Sequence, residues 1–199
     1  MSPRNIRLLL VLGAFCAGLV FCFGVVLLVI GRTPVPGVQQ TAAIGGPFRL
    51  TDQDGATVTD RDFLGRPFLV FFGFTHCPDV CPTALFEISE IMRKLGPDAE
   101  RVRAAFITVD PERDTPQALK DYMSSFDSRL KGLTGDLDAI TAVAKAYRVY
   151  FKKVPLEGDG YTMDHTAIVY LMDKEGRFVA PFSLKRTTEA AAAELRKYL

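Results

Sequence analysis

Residues 67–83 read PFLVFFGFTHCPDVCPT, and the architecture follows from this stretch outward. Pro67 to Phe74 is a continuous apolar, aromatic run, the mark of a strand covered on both faces. A loop carrying Cys77 and Cys81 follows, and Pro78 and Pro82 fit its passage into a first helical turn. From there apolar residues at 85, 88, 91, 92 and 95 predict a helix over 82–95. Strand, cysteine loop and helix therefore come in immediate succession.

Toward the C-terminus the same grammar repeats. Val102–Val109 reads as a second buried strand and Thr115–Phe126 as a helix opened by Thr115-Pro116. Leu130–Thr134 reads as a short strand, and Asp136–Tyr147 as a helix with Asp136 as its cap. Thr166–Met172 and Phe178–Phe182 are strands joined by a turn at 173–176, and a helix from Thr188 closes the chain. On the N-terminal side, PFRLTDQDGATVT (47–59) holds Asp54-Gly55 between two alternating segments, the signal of a β-hairpin. Parallel strands with crossover helices, then an antiparallel hairpin and a last helix, define an α/β, thioredoxin-like domain over 47–199. In that sheet the first core strand is central, with 102–109 parallel on one side and 166–172 antiparallel on the other. Cys77, Asp110 and His165 then meet at one edge.

Ahead of the domain, Leu8–Ile30 is an apolar run of 23 residues with no charge. At about 1.5 Å per residue it is long enough to cross a hydrocarbon core of roughly 30 Å. It exceeds the usual apolar stretch of a cleaved signal peptide, and no small-x-small site follows before Arg32. Residues 1–32 are thus expected to form a membrane anchor and 33–46, with Pro34 and Pro36, a tether. Arg4 and Arg7 precede the run and only Arg32 follows it closely, which places the N-terminus inside and exports the domain. Of the 24 basic residues, the 21 outside these three arginines face 23 acidic ones, a net charge of −2, with no basic stripe for nucleic acid.

The four cysteines form two pairs. Cys16 and Cys22 lie within the apolar run and read as small lipid-facing residues. Cys77 and Cys81 are the only thiols of the exported part, so they form a disulfide, a redox couple or a metal site. On a helical turn, residues four apart share a face, which suits two thiolates on one soft ion and also lies within reach of a disulfide. The helix N-terminus is expected to lower both thiol pKa values. His165 weighs toward a metal, because two thiolates and an imidazole suit copper. A structural zinc site needs a fourth ligand; His76 is the candidate, but adjacent residues tend to point apart. His165 as a merely buried histidine, and the cysteines as a structural disulfide, are the plainer alternatives.

GFTHCPDVCPT, VDPERDTP (109–116) and MDHTAIVYLMD (163–173) together resemble the three signature segments of the Sco/SenC family of copper-binding proteins, over about residues 45–199. The resemblance implies a copper metallochaperone rather than an enzyme, serving assembly of the copper A centre of cytochrome c oxidase. It implies Cys77, Cys81 and His165 as ligands of one copper, Cu(I) with Cu(II) as the second state, and Asp110 as an acidic residue beside them. It also implies a copper-receiving oxidase subunit as partner, together with a copper donor and a thiol reductant. The expected location is a bacterial inner membrane, with one span and the C-terminal domain in the periplasm. The alternative is a thiol–disulfide oxidoreductase, using Cys77 and Cys81 as a redox-active disulfide, that keeps the oxidase's copper-site cysteines reduced. A peroxidase is disfavoured because Phe74 stands where peroxiredoxins carry Thr.

Overall fold

A computed structural model describes residues 16–26, 28, 44–158 and 160–199 of the chain. Residues 16–26 are helical, with Cys16 and Cys22 exposed on that helix. Residues 8–15, 27, 29 and 30 of the expected span and the tether up to residue 43 lie outside the described residues. Among the described residues no helix is long and apolar enough to cross a membrane.

The α/β unit is built on a seven-stranded sheet. Its strands are β1 (Arg49–Asp52), β2 (Thr57–Thr59), β3 (Phe68–Gly73), β4 (Arg103–Thr108), β5 (Leu130–Thr134), β8 (Val169–Met172) and β9 (Phe178–Pro181). Their order across the sheet is β2-β1-β5-β4-β3-β8-β9. All six residues of β3 are buried, as its unbroken apolar sequence demands. It pairs in parallel with β4, from Phe68↔Arg103 to Gly73↔Thr108, and antiparallel with β8, from Phe68↔Met172 to Phe71↔Val169. The central position expected for β3 is therefore the observed one. The N-terminal hairpin also forms as expected, and joins the sheet through β1 against β5.

Four helices cover the faces: α1 (Val80–Leu95), α2 (Pro116–Met123), α3 (Leu137–Ala146) and α4 (Thr188–Arg196). The Asp136 side chain caps α3 by accepting the Ala139 N–H at 2.7 Å, and Thr115 caps α2 through the Ala118 N–H at 3.2 Å. Such caps satisfy N–H groups that the helix itself cannot. Helix α1 starts two residues before the expected position, at Val80, and this matters for the site. It makes Cys81 the first member of the buried stripe that continues through Ala84, Leu85, Ile88, Met92 and Leu95. The helical period that buries the core thus buries a thiol with it.

One element is absent from the sequence reading. Strands β6 (Phe151–Pro155) and β7 (Tyr161–His165) form a separate two-stranded antiparallel sheet, with Phe151 opposite His165 and Pro155 opposite Tyr161. Correspondingly β8 starts at Val169 rather than at Thr166, and His165 closes a hairpin strand instead of preceding a core strand. FKKVP is mostly solvent-facing, so no apolar period marked it.

Candidate metal centre

The three candidate ligands come from three places in the fold. Cys77 sits in the loop after β3, Cys81 in the first turn of α1, and His165 at the end of β7. Their donor atoms, two Sγ and an imidazole nitrogen, all lie within 4.8 Å of one another. The Cys81 sulfur is 3.6 Å from His165 Nε2. Both cysteines are free thiols. Cys81 is fully buried and Cys77 is 8% exposed, so Cys77 and the half-buried imidazole form the accessible side.

Local chemistry fixes each group. The Cys81 backbone N–H, one of the unpaired donors at the start of α1, donates to the Cys77 sulfur at 3.4 Å. A thiolate at Cys77 therefore gains a charge-assisted hydrogen bond. His165 Nδ1 lies 3.2 Å from the Thr166 carbonyl oxygen. A carbonyl only accepts, so Nδ1 carries the proton and Nε2 offers its lone pair toward Cys81. The Phe74 ring stands edge-on to the imidazole, 5.7 Å away at 89°. Gly73 explains how β3 and α1 approach so closely. A Cβ there would lie 2.7 Å from the Cys81 sulfur and 2.7 Å from Phe106.

The expectation that both thiols are acidified does not hold for Cys81. Burial pushes its pKa up, and the neighbouring Cys77 sulfur adds to the rise. The helix terminus is outweighed because Cys81 sits on the core side of the first turn. Burial also lowers the His165 pKa, keeping the imidazole neutral and ready to ligate. A metal binding here must displace the Cys81 proton. Affinity for a soft monovalent ion is therefore expected to rise with pH, by at least about tenfold per unit between about pH 7 and about pH 8. A competition titration across that range measures the slope; a flat profile would contradict it.

His76 is exposed and bonds to the Thr75 hydroxyl at 3.0 Å through Nδ1. Among the described residues it does not belong to the metal-competent group. His76→Ala is expected to change metal affinity by less than about twofold, since an exposed non-ligand contributes little. Zinc recovered at one per chain, and lost in the variant, would reverse this. Asp110 lies just beyond β4, 2% exposed. Its carboxylate accepts from Arg113 Nε and, at 2.9 Å, from the Tyr161 hydroxyl. Among the described residues Asp110 does not belong to the metal-competent group. The sequence reading passed over Gly73, Arg113 and Asp114. Gly73 carried a legible signal, since a lone glycine inside an aromatic strand marks a close approach.

A thioredoxin-like domain with two thiols and an imidazole converging beyond the C-terminal end of its central strand is a soft-metal or redox module. The SCO1/SenC family profile matches residues 36–199, and the chain belongs to that family. It is similar to the solved structure of Bradyrhizobium japonicum ScoI with copper bound, at 64% identity, covering 79% of this chain and all of that one, with a TM-score of 0.77. It is 43% identical over 157 residues to the mitochondrial SCO1 homologue of Homo sapiens, covering 75% of this chain and 51% of that protein. Similarity to SCO1 homologue 1 of Arabidopsis thaliana is 40% over 162 residues, covering 79% of this chain and 48% of the relative. The match thus spans about half the length of these curated relatives.

Proposed function

We propose that this chain is a copper metallochaperone that holds one copper ion on Cys77, Cys81 and His165. Its role in this reading is to deliver that ion for assembly of the copper A centre of cytochrome c oxidase. The observation that carries the proposal is the convergence of three donor atoms within 4.8 Å. Two thiolates and one neutral imidazole form the kind of soft donor set that Cu(I) favours. The copper-bound B. japonicum relative supports the choice of metal. Copper is cargo in this reading. Three ligands leave room for an incoming partner thiolate, so transfer proceeds by ligand exchange from the accessible Cys77 and His165 side.

The reading requires a copper-receiving oxidase subunit, a copper donor and a thiol reductant as partners. It places Leu8–Ile30 across a bacterial inner membrane, with the domain in the periplasm. The helical state of residues 16–26 supports such an anchor, and the basic flank at Arg4 and Arg7 supports the direction. One observation favours a second, compatible role. Cys77 and Cys81 are both free, with sulfurs within 4.8 Å, so they are placed to form a redox-active disulfide in a thiol–disulfide oxidoreductase. Oxidation of the pair would remove both thiolates and abolish copper binding.

Anaerobic titration of the reduced protein with Cu(I) and Cu(II) tests the function, with the metal counted per chain. One copper bound, with both cysteines protected from alkylation, is expected; alkylation unaffected by copper would contradict the ligand assignment. A reporter fused after Leu199 is expected to be active only on the exported side, and cytoplasmic activity would overturn the topology.

A further inference from the structure

The turn between β4 and α2, residues 110–114, supplies none of the three donor atoms, yet its side chains reach the segments that carry Cys77 and His165. Asp114 is fully buried. Its carboxylate accepts the Thr75 N–H at 3.0 Å, the Thr75 hydroxyl at 2.6 Å and the Thr108 hydroxyl at 2.6 Å. A carboxylate withdrawn from water is costly unless hydrogen bonds replace its hydration, and here two of the three come from one residue. Thr75 lies two positions before Cys77, in the loop that carries it. Thr108 in turn accepts the Asp110 N–H at 2.9 Å, which ties the turn to the end of β4.

The adjacent side chain reaches the other way. Arg113 donates through Nε to Asp110 and through Nη1 to the Tyr161 carbonyl at 3.0 Å. Its guanidinium lies 3.8 Å from the Tyr161 ring centre and 5.9 Å from that of Phe74. The Tyr161 hydroxyl closes the circuit on Asp110 at 2.9 Å. Tyr161 opens β7, the strand that ends in His165, and Phe74 is the ring set edge-on to that imidazole. The planar fork thus makes two directed contacts, one to the turn and one to the hairpin. A flanking pair, Lys153 with Glu112 at 2.6 Å, fastens the same hairpin to the same turn.

We infer that Arg113 and Asp114 are the positioning residues of the metal centre: Asp114 sets the cysteine loop through Thr75, and Arg113 sets His165 through Tyr161 and Phe74. Two neighbouring residues thus govern the thiol half and the imidazole half through separable contacts. The assignment rests on the three-ligand reading of the site. Its test is carried out largely on metal-free protein, so that the two ideas fail separately.

The experiment compares wild type, Asp114→Asn and Arg113→Lys in the full chain purified in detergent. Two metal-free readouts are taken: the Cys77–Cys81 thiol–disulfide equilibrium against glutathione, and the imidazole NMR signals of His165. Asp114→Asn is expected to shift the thiol equilibrium by about threefold or more and leave the imidazole signals in place. Arg113→Lys keeps the charge but loses the planar fork. It is expected to move the imidazole signals, leave the thiol equilibrium within about twofold, and weaken copper binding by about tenfold. Thr75→Val deletes only the hydroxyl donor and is expected to repeat the thiol-side shift, which keeps the test decisive should Asp114→Asn fail to fold. Each variant moving both readouts together, or neither variant moving either, would overturn the separable assignment. Failure of the three-ligand reading shows elsewhere, as unchanged copper affinity in His165→Ala.

Discussion

Cys81→Ser is expected to lower the affinity of the reduced protein for Cu(I) on the order of a thousandfold, or about 4 kcal/mol. Cys81 is fully buried and its sulfur lies 3.6 Å from His165 Nε2, so it is the ligand that links the thiol and imidazole sides. A serine hydroxyl is a hard donor that stays protonated at neutral pH, and it cannot replace a soft thiolate on Cu(I). The fold should survive. The volume change is small, and the exchange costs at most about 1–3 kcal/mol if the hydroxyl is left unpaired. Circular dichroism checks the fold and competition with a chromophoric Cu(I) chelator checks the affinity. Retention of near-native affinity in a folded variant would remove Cys81 from the ligand set.

The second large effect lies in a residue with no functional group. Gly73→Ala would place a methyl 2.7 Å from both the Cys81 sulfur and the Phe106 ring. Neither neighbour has room to yield. Phe106 is fully buried on β4, and Cys81 is fixed in the first turn of α1. Overpacking of this kind costs about 1–3 kcal/mol, and any relief comes from moving α1 away from β3. That motion carries the Cys81 sulfur off its position, so a loss of copper affinity of at least about tenfold is expected together with the lost stability. Urea unfolding and the chelator titration measure the two effects on the same sample. A destabilised variant with native affinity would show that the strand–helix approach serves packing alone.

The legibility of this molecule follows burial. β3 was readable because all of it is covered, and a strand covered on both faces has an unmistakable apolar run. Asp136 was readable as a cap, and Thr115-Pro116 as a helix start, because the chemistry is local, within three residues. The β6–β7 hairpin was not, since its strands stand apart from the main sheet and FKKVP faces solvent for most of its length. The three candidate ligands could be named from residue type and sheet order. The groups that aim them could not. Thr75 and Asp114 are 39 residues apart and Arg113 and Tyr161 are 48 apart, contacts that only the folded chain defines. The acidity of Cys81 was misjudged for a related reason. Its depth depends on which side of the first turn faces the core, and α1 begins two residues earlier than its apolar spacing indicates.

The central claim is that Cys77, Cys81 and His165 together hold one copper ion. X-ray absorption of the Cu(I)-loaded protein, compared with its His165→Ala variant, tests it most directly. Two sulfur scatterers and one imidazole nitrogen are expected around copper in the native chain, with the nitrogen lost in the variant. Identical two-sulfur spectra from both proteins would contradict the three-ligand site.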